Sequence, residues 1–138
     1  MYYIYTMQND TVFGKIIRGE ITATKVYEDE ICLAFLDINP VTKGHTLLIP
    51  KEQYEWMHEV PDELITYLFI KTKILMKAIK ASLGCDYVQI SVVGKDVPHF
   101  HIHLIPRFFD DGLIGWKTSK YKDDEACTYA EKIKALLK

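Results

Sequence analysis

At 138 residues, 49% of them apolar, the chain suits one domain with a real core and excludes a disordered polypeptide. Seventeen basic residues against nineteen acidic ones leave a net charge of −2, which gives no electrostatic footprint for duplex nucleic acid or a membrane surface. Cys32, Cys85 and Cys127 are odd in number and widely spaced, so they form neither a disulfide framework nor a CxxC metal pair. A reducing compartment, the cytoplasm, is expected.

The opening Met1-Tyr2-Tyr3-Ile4-Tyr5-Thr6-Met7 is aromatic and lacks both a basic region and a long apolar run. It reads as a short extension, residues 1–9, ahead of a single domain spanning 10–138. No run is long enough to span a bilayer. Asp10 to Gly19 predicts a short helix, capped by Asp10 or Thr11 and stopped by Gly19, with Phe13, Ile16 and Ile17 on one face. Three strands follow, at Lys25–Glu28, Ile31–Asp37 and His45–Pro50. Asp29-Glu30 turns between the first two, and Asn39 to Gly44 turns between the next two. Gln53 to His58 suits a short helical piece. Pro61-Asp62-Glu63 opens the longest helix, whose apolar stripe is interrupted by Lys71 and which ends at Gly84.

A fourth strand is expected at Tyr87–Val93, a tight connection at Gly94-Lys95-Asp96, and a fifth strand from Val97 to Arg107. Phe108 to Ser119 is irregular, and a last helix runs from about Asp123 to Leu137. The fold class is α+β: a mostly antiparallel five-stranded sheet with a long central helix and short N- and C-terminal helices.

The fifth strand carries the chemistry. His99, His101 and His103 alternate with Phe100, Ile102 and Leu104, so an extended backbone gathers the imidazoles on one face and sets the apolar residues on the other. Three readings are open on the residues alone. The histidines form an exposed polar face, or they share a metal ion, or one of them is a nucleophile toward phosphorus. Neutral imidazole has a free lone pair near neutral pH, and a carbonyl bonded to Nδ1–H would fix the tautomer that leaves it on Nε2.

The run His99-Phe100-His101-Ile102-His103-Leu104-Ile105 resembles the His-x-His-x-His-x-x motif of the histidine-triad (HIT) nucleotide hydrolases and transferases. Asp10 to Arg18, Cys32 to Ile38 and Gly44 to Lys51 are similar to the Hint branch, and the resemblance covers roughly Asp10 to Arg107. It implies a homodimer of α+β protomers with purine nucleotide substrates and no cofactor, while the charge balance already leaves no nucleic acid or membrane partner expected. The implied activity is a nucleoside 5′-monophosphoramidase-like hydrolase working through a nucleotidyl-histidine on His101. A dinucleoside polyphosphate hydrolase, or a nucleotide-binding adaptor with little turnover, is the alternative.

Carried over by position, His103 contacts phosphate and assists the leaving group. His99 orients His101 through its carbonyl, and His45 is the fourth histidine beside the strand. Asp37 binds the ribose hydroxyls, Phe13, Ile16, Phe35, Leu36 and Ile38 hold the base, and Asp96 and Val97 belong to the nucleotide loop. Each also has a plain reading: the apolar residues as core, Asp37 as the cap of its turn, His45 as an ordinary buried histidine.

Three departures stand out. Thr11 and Gly14 replace the zinc-binding CxxC of many microbial relatives, so no metal is expected. The loop before the triad is short and has no asparagine. Asp96 brings a carboxylate toward a phosphate site, where it must point away, pair with Lys95 or Arg107, or donate a proton. Trp116 is a candidate to reach the site of a dimer partner.

Overall fold

The computed structural model describes residues 11–137; the extension at 1–9 and the alternative cap Asp10 lie outside the described residues. A first helix, α1, spans Val12–Ile17. Thr11 is its cap, its Oγ1 accepting from the Gly14 N–H at 3.0 Å. Gly19, at φ +77°, turns the chain away.

The sheet holds β1 (Lys25–Glu28), β2 (Cys32–Leu36), β3 (Thr46–Pro50), β4 (Tyr87–Ser91) and β5 (Ile102–Arg107) in the order β1-β2-β3-β5-β4, every pair antiparallel. β2 and β3 are buried along their whole length, which is why they read as nearly continuous apolar runs rather than alternating ones.

The long helix α2 (Asp62–Leu83) buries Leu68, Thr72, Leu75, Ala78 and Ile79 against one face of the sheet. Its start carries Asp62 and Glu63, and Gly84 closes it at φ +67°. Burial of each of its large aliphatic side chains contributes about 1.5–3 kcal/mol. The last helix, α3 (Glu125–Ala135), lies on the same side with Ala130 and Ile133 buried. Between β3 and α2 only Met57–Glu59 forms a helical turn, of the 3-10 type. No described helix is long and apolar enough to cross a membrane.

Lys71, which breaks the apolar stripe of α2, has its own polar setting. Its Nζ lies over the Tyr27 ring at 4.6 Å and donates to the Tyr27 hydroxyl at 3.1 Å. The Tyr27 hydroxyl donates to Asp29 Oδ2 at 2.8 Å and the Tyr67 hydroxyl donates to the same oxygen, while the Ile31 and Cys32 N–H groups bond the other carboxylate oxygen. Burial alone would raise the Asp29 pKa. These donors outweigh it and hold the carboxyl well below the usual range. The cluster pins α2 to the β1–β2 turn.

The fifth strand is shorter than its sequence suggests. It pairs only from Ile102, so of the three histidines His103 alone lies in the ladder. Pro98 has no N–H to offer, the His99 N–H turns back to Val97 O, and the Phe100 N–H leaves the sheet for Tyr54 O. The alternation itself survives, with Phe100, Ile102 and Leu104 in the core under α2. The fourth strand likewise stops at Ser91, so the connection expected at Gly94-Lys95-Asp96 runs from Val92 to His101.

Candidate active site

Two helices cover one face of the sheet, while the six-residue α1 packs on the other. On that second face Phe13 and Ile16 join Leu33, Phe35, Leu47 and Ile49 in a small cluster, with Val97 packed at its side. The histidines open beside it. Phe13 stands edge-on to His101, ring centroids 5.0 Å apart, and His101 stands edge-on to His103 at 4.9 Å. Trp116 closes the row against His103 at 4.8 Å and His45 at 5.8 Å.

Each imidazole's tautomer follows from its neighbours. His101 Nδ1 lies 2.7 Å from the His99 carbonyl, which can only accept, so the proton is on Nδ1 and Nε2 keeps its lone pair. His99 Nε2–H donates to Pro50 O at 2.8 Å, taking a carbonyl at the end of β3 that β5 does not reach. The Val41 N–H donates to His45 Nδ1 at 3.0 Å, which places the His45 proton on Nε2. That proton points to His103 Nδ1, 2.9 Å away, so His103 carries its own hydrogen on Nε2. One backbone N–H thus orders two rings in series. The site holds an imidazole with a free lone pair beside one with a free N–H.

Burial keeps these rings neutral. It pushes His45 down to about 3 and His103 to about 4, with the neighbouring histidines adding to the shift. Burial lowers His101 too, against the His99 carbonyl and the charges of Asp37 and Asp96, which raise it. Asp37 Oδ2 lies 3.7 Å from His45 Nε2, but with His45 neutral this is a dipolar contact rather than an ion pair. Asp37 Oδ1 accepts from the Asn39 N–H at 2.9 Å, and burial raises its pKa. The turn-cap reading of Asp37 therefore holds for one oxygen and leaves the other beside the histidines.

Asp37, His45 and His103 bring three potential metal-ligand atoms within 4.8 Å of one another. The hydrogen bonds speak against that use, because the Val41 N–H occupies one His45 nitrogen and a proton the other. Of the two residues expected to stand in place of a CxxC, Thr11 Oγ1 is committed to capping α1 and Gly14 has no side chain.

Of the expected base-holding residues, Phe13, Ile16 and Phe35 share the cluster beside the triad, and Val97 of the expected nucleotide loop borders it. Ile38 is 73% exposed directly after Asp37, so the core reading fails for it. Leu36 is a correction: alternation along β2 turns its side chain into the core under α2, away from the histidines. Asp96 is exposed, and Arg107 does not reach it. The Arg107 guanidinium instead grips both Asp111 oxygens at 2.7 and 2.9 Å and Gln89 at 2.6 Å. Trp116, expected at a partner's site, lies against this chain's own His103. Sequence reasoning missed the Val41 N–H and the Pro50 carbonyl, since main-chain groups leave no residue-type signal.

A family model of the HIT domain matches residues 18–110, most of the chain. The chain belongs to the histidine-triad (HIT) family. An uncharacterised HIT-like protein of Methanocaldococcus jannaschii is 47% identical over 75% of this chain and 83% of its own length. The adenosine 5′-monophosphoramidase hnt1 of Schizosaccharomyces pombe is 35% identical over 92% of this chain and 98% of its own, which agrees with the Hint branch. Among solved structures, a Hit-like protein from Bartonella henselae superposes with a TM-score of 0.85 at 30% identity, covering 93% of this HIT protein and 96% of that chain.

Proposed function

We propose that this HIT protein is a purine nucleoside 5′-monophosphoramidase, hydrolysing its substrate through a nucleotidyl-histidine on His101. The observation that carries the reading is the tautomer pair, a His101 Nε2 lone pair beside a His103 Nε2–H. The lone pair attacks the α-phosphorus while His103 donates a hydrogen bond to a phosphoryl oxygen. As the P–N bond breaks, the phosphoramidate nitrogen, protonated from solvent, departs as a neutral amine. Water then bonds to phosphorus and loses a proton to solvent, and the P–Nε2 bond breaks to free His101 and the nucleoside monophosphate.

His103 serves as a hydrogen-bond donor rather than a proton source, because His45 already occupies its Nδ1 and burial disfavours its cation. Asp37 Oδ2 is the group for the ribose hydroxyls. Phe13, Ile16, Phe35, Val97 and the exposed Ile38 are the surfaces for the base.

Incubation with an adenosine 5′-phosphoramidate is expected to release adenosine monophosphate. His101→Ala is expected to cut kcat by at least about a thousandfold, since it removes the nucleophile itself. Equal turnover by the two proteins would overturn the mechanism.

A further inference from the structure

Where the chain leaves β3, between Pro50 and Tyr54, it is stitched to the triad segment by bonds outside the sheet ladder. β3 pairs with β5 only as far as Leu48 opposite Ile102. Beyond that point His99 Nε2–H donates to Pro50 O and the Gln53 side-chain amide donates to Pro98 O, both at 2.8 Å. The Phe100 N–H donates to Tyr54 O at 2.5 Å, and the Lys51 N–H ties the same loop to Ile31 O at 2.8 Å. Neither side chain in this stitching is fully satisfied. Gln53 Oε1 and His99 Nδ1 are buried with no hydrogen-bond partner among the described residues. A buried acceptor left unmet costs stability, so these two side chains are poor choices for a stretch that only had to pack.

We propose that Gln53 is a positioning residue for the nucleophile, its amide holding Tyr54 O against the peptide whose carbonyl orders His101. The proposal rests on the reaction above only for His101 being the nucleophile. The Phe100 N–H and the His99 carbonyl belong to one planar peptide group, so fixing the direction of the N–H fixes the carbonyl too. That carbonyl accepts from His101 Nδ1–H at 2.7 Å. Donation from the N–H end also polarises the group and strengthens its carbonyl as an acceptor. Tyr54 O thus acts on His101 through a single peptide. Gln53 secures it, because the bond to Pro98 O joins the residue before Tyr54 to the residue before His99. Pro98 has no N–H, so its carbonyl is the only main-chain group that a neighbouring loop can grip there.

Gln53→Met keeps the length of the side chain and removes the donor together with the unmet acceptor. Its Tm is expected to stay within about two degrees of wild type, since a buried unsatisfied group leaves along with one exposed bond. With an adenosine 5′-phosphoramidate, kcat is expected to fall about tenfold while KM stays within about twofold, because substrate still binds and the nucleophile is held less well. The direct readout is the His101 ring, followed by two-bond proton–nitrogen NMR. The Nε2–H tautomer should appear beside the Nδ1–H form. The ring should also protonate at lower pH, because the carbonyl that favours its cation is held less firmly. Gln53→Glu, the same length without the donor, gives the same tautomer test should the methionine variant fail to fold. His101 signals identical to those of wild type overturn the proposal, whatever happens to kcat. Absence of turnover by wild type sinks the phosphoramidase reading alone, and the NMR comparison still decides the role of Gln53.

Discussion

A single backbone N–H, that of Val41, decides what His103 can do. By occupying His45 Nδ1 it forces the His45 proton onto Nε2 and toward His103, and so leaves His103 with a hydrogen to offer. His101 is ordered separately by the His99 carbonyl, and the two neutral rings then present complementary atoms. Asp96 acts on His101 at longer range, since its charge raises the His101 pKa against the lowering by burial. Asp96→Asn is therefore expected to move the acid limb of the kcat/KM profile to lower pH, by less than about one unit because an exposed charge is screened. A limb that stays put, or moves up, contradicts this electrostatic role.

At the scale of elements, β4 and α2 carry features that the fold of one chain does not use. β4 ends the sheet, so the outer edge of its backbone has no neighbouring strand among the described residues. On α2, Ile70 is 54% exposed and Ile74, one turn later, 43%. An open strand edge suits pairing with a second copy, and the exposed isoleucines of α2 are a separate apolar feature that such a copy could cover. We propose that homodimer, whose mass by light scattering is expected at twice 16.0 kDa. Ile70→Glu with Ile74→Glu should release the monomer. A wild-type protein that is monomeric at micromolar concentration refutes the proposal. Gly44 shows a different constraint: at φ +98°, an added Cβ would collide with Leu83 Cδ1 at the end of α2. The turn that delivers His45 is thereby packed closely against the long helix.

For the whole molecule, gathering four buried histidines on one face makes stability depend on pH. In the unfolded chain each titrates near 6.5, while in the fold His45 and His103 are pushed to about 3 and about 4, and His99 and His101 are lowered. Above 6.5 both states are neutral at these sites and nothing is gained or lost. Below it the unfolded chain binds protons that the fold refuses, so stability falls as pH drops from 6.5 toward 4. Asp37, raised by burial, works the other way and offsets part of the loss. The urea midpoint is expected to decline between pH 7 and 4.5, and less steeply in His45→Gln. A flat midpoint in wild type would show that these rings are not held neutral by the fold.

Much of this was legible from residue type and spacing. The α+β class, the five strands, the long helix and the helix ends all follow from apolar periodicity and from caps such as Thr11 and Gly84, because those forces act within a few residues. Strict alternation also foretold that His99, His101 and His103 share a face opposite Phe100, Ile102 and Leu104. The tertiary structure alone decided where the ladder begins, since Pro50, Tyr54 and Phe100 meet only in the fold. It alone seated Trp116 on its own chain's histidines and turned Leu36 away from them. It alone brought Val41, His45 and His103 into one hydrogen-bonded series. Side-chain patterns record which residues must be buried. Proton positions depend on which main-chain N–H or carbonyl a ring meets, and those groups are the same at almost every residue until folding makes their surroundings different.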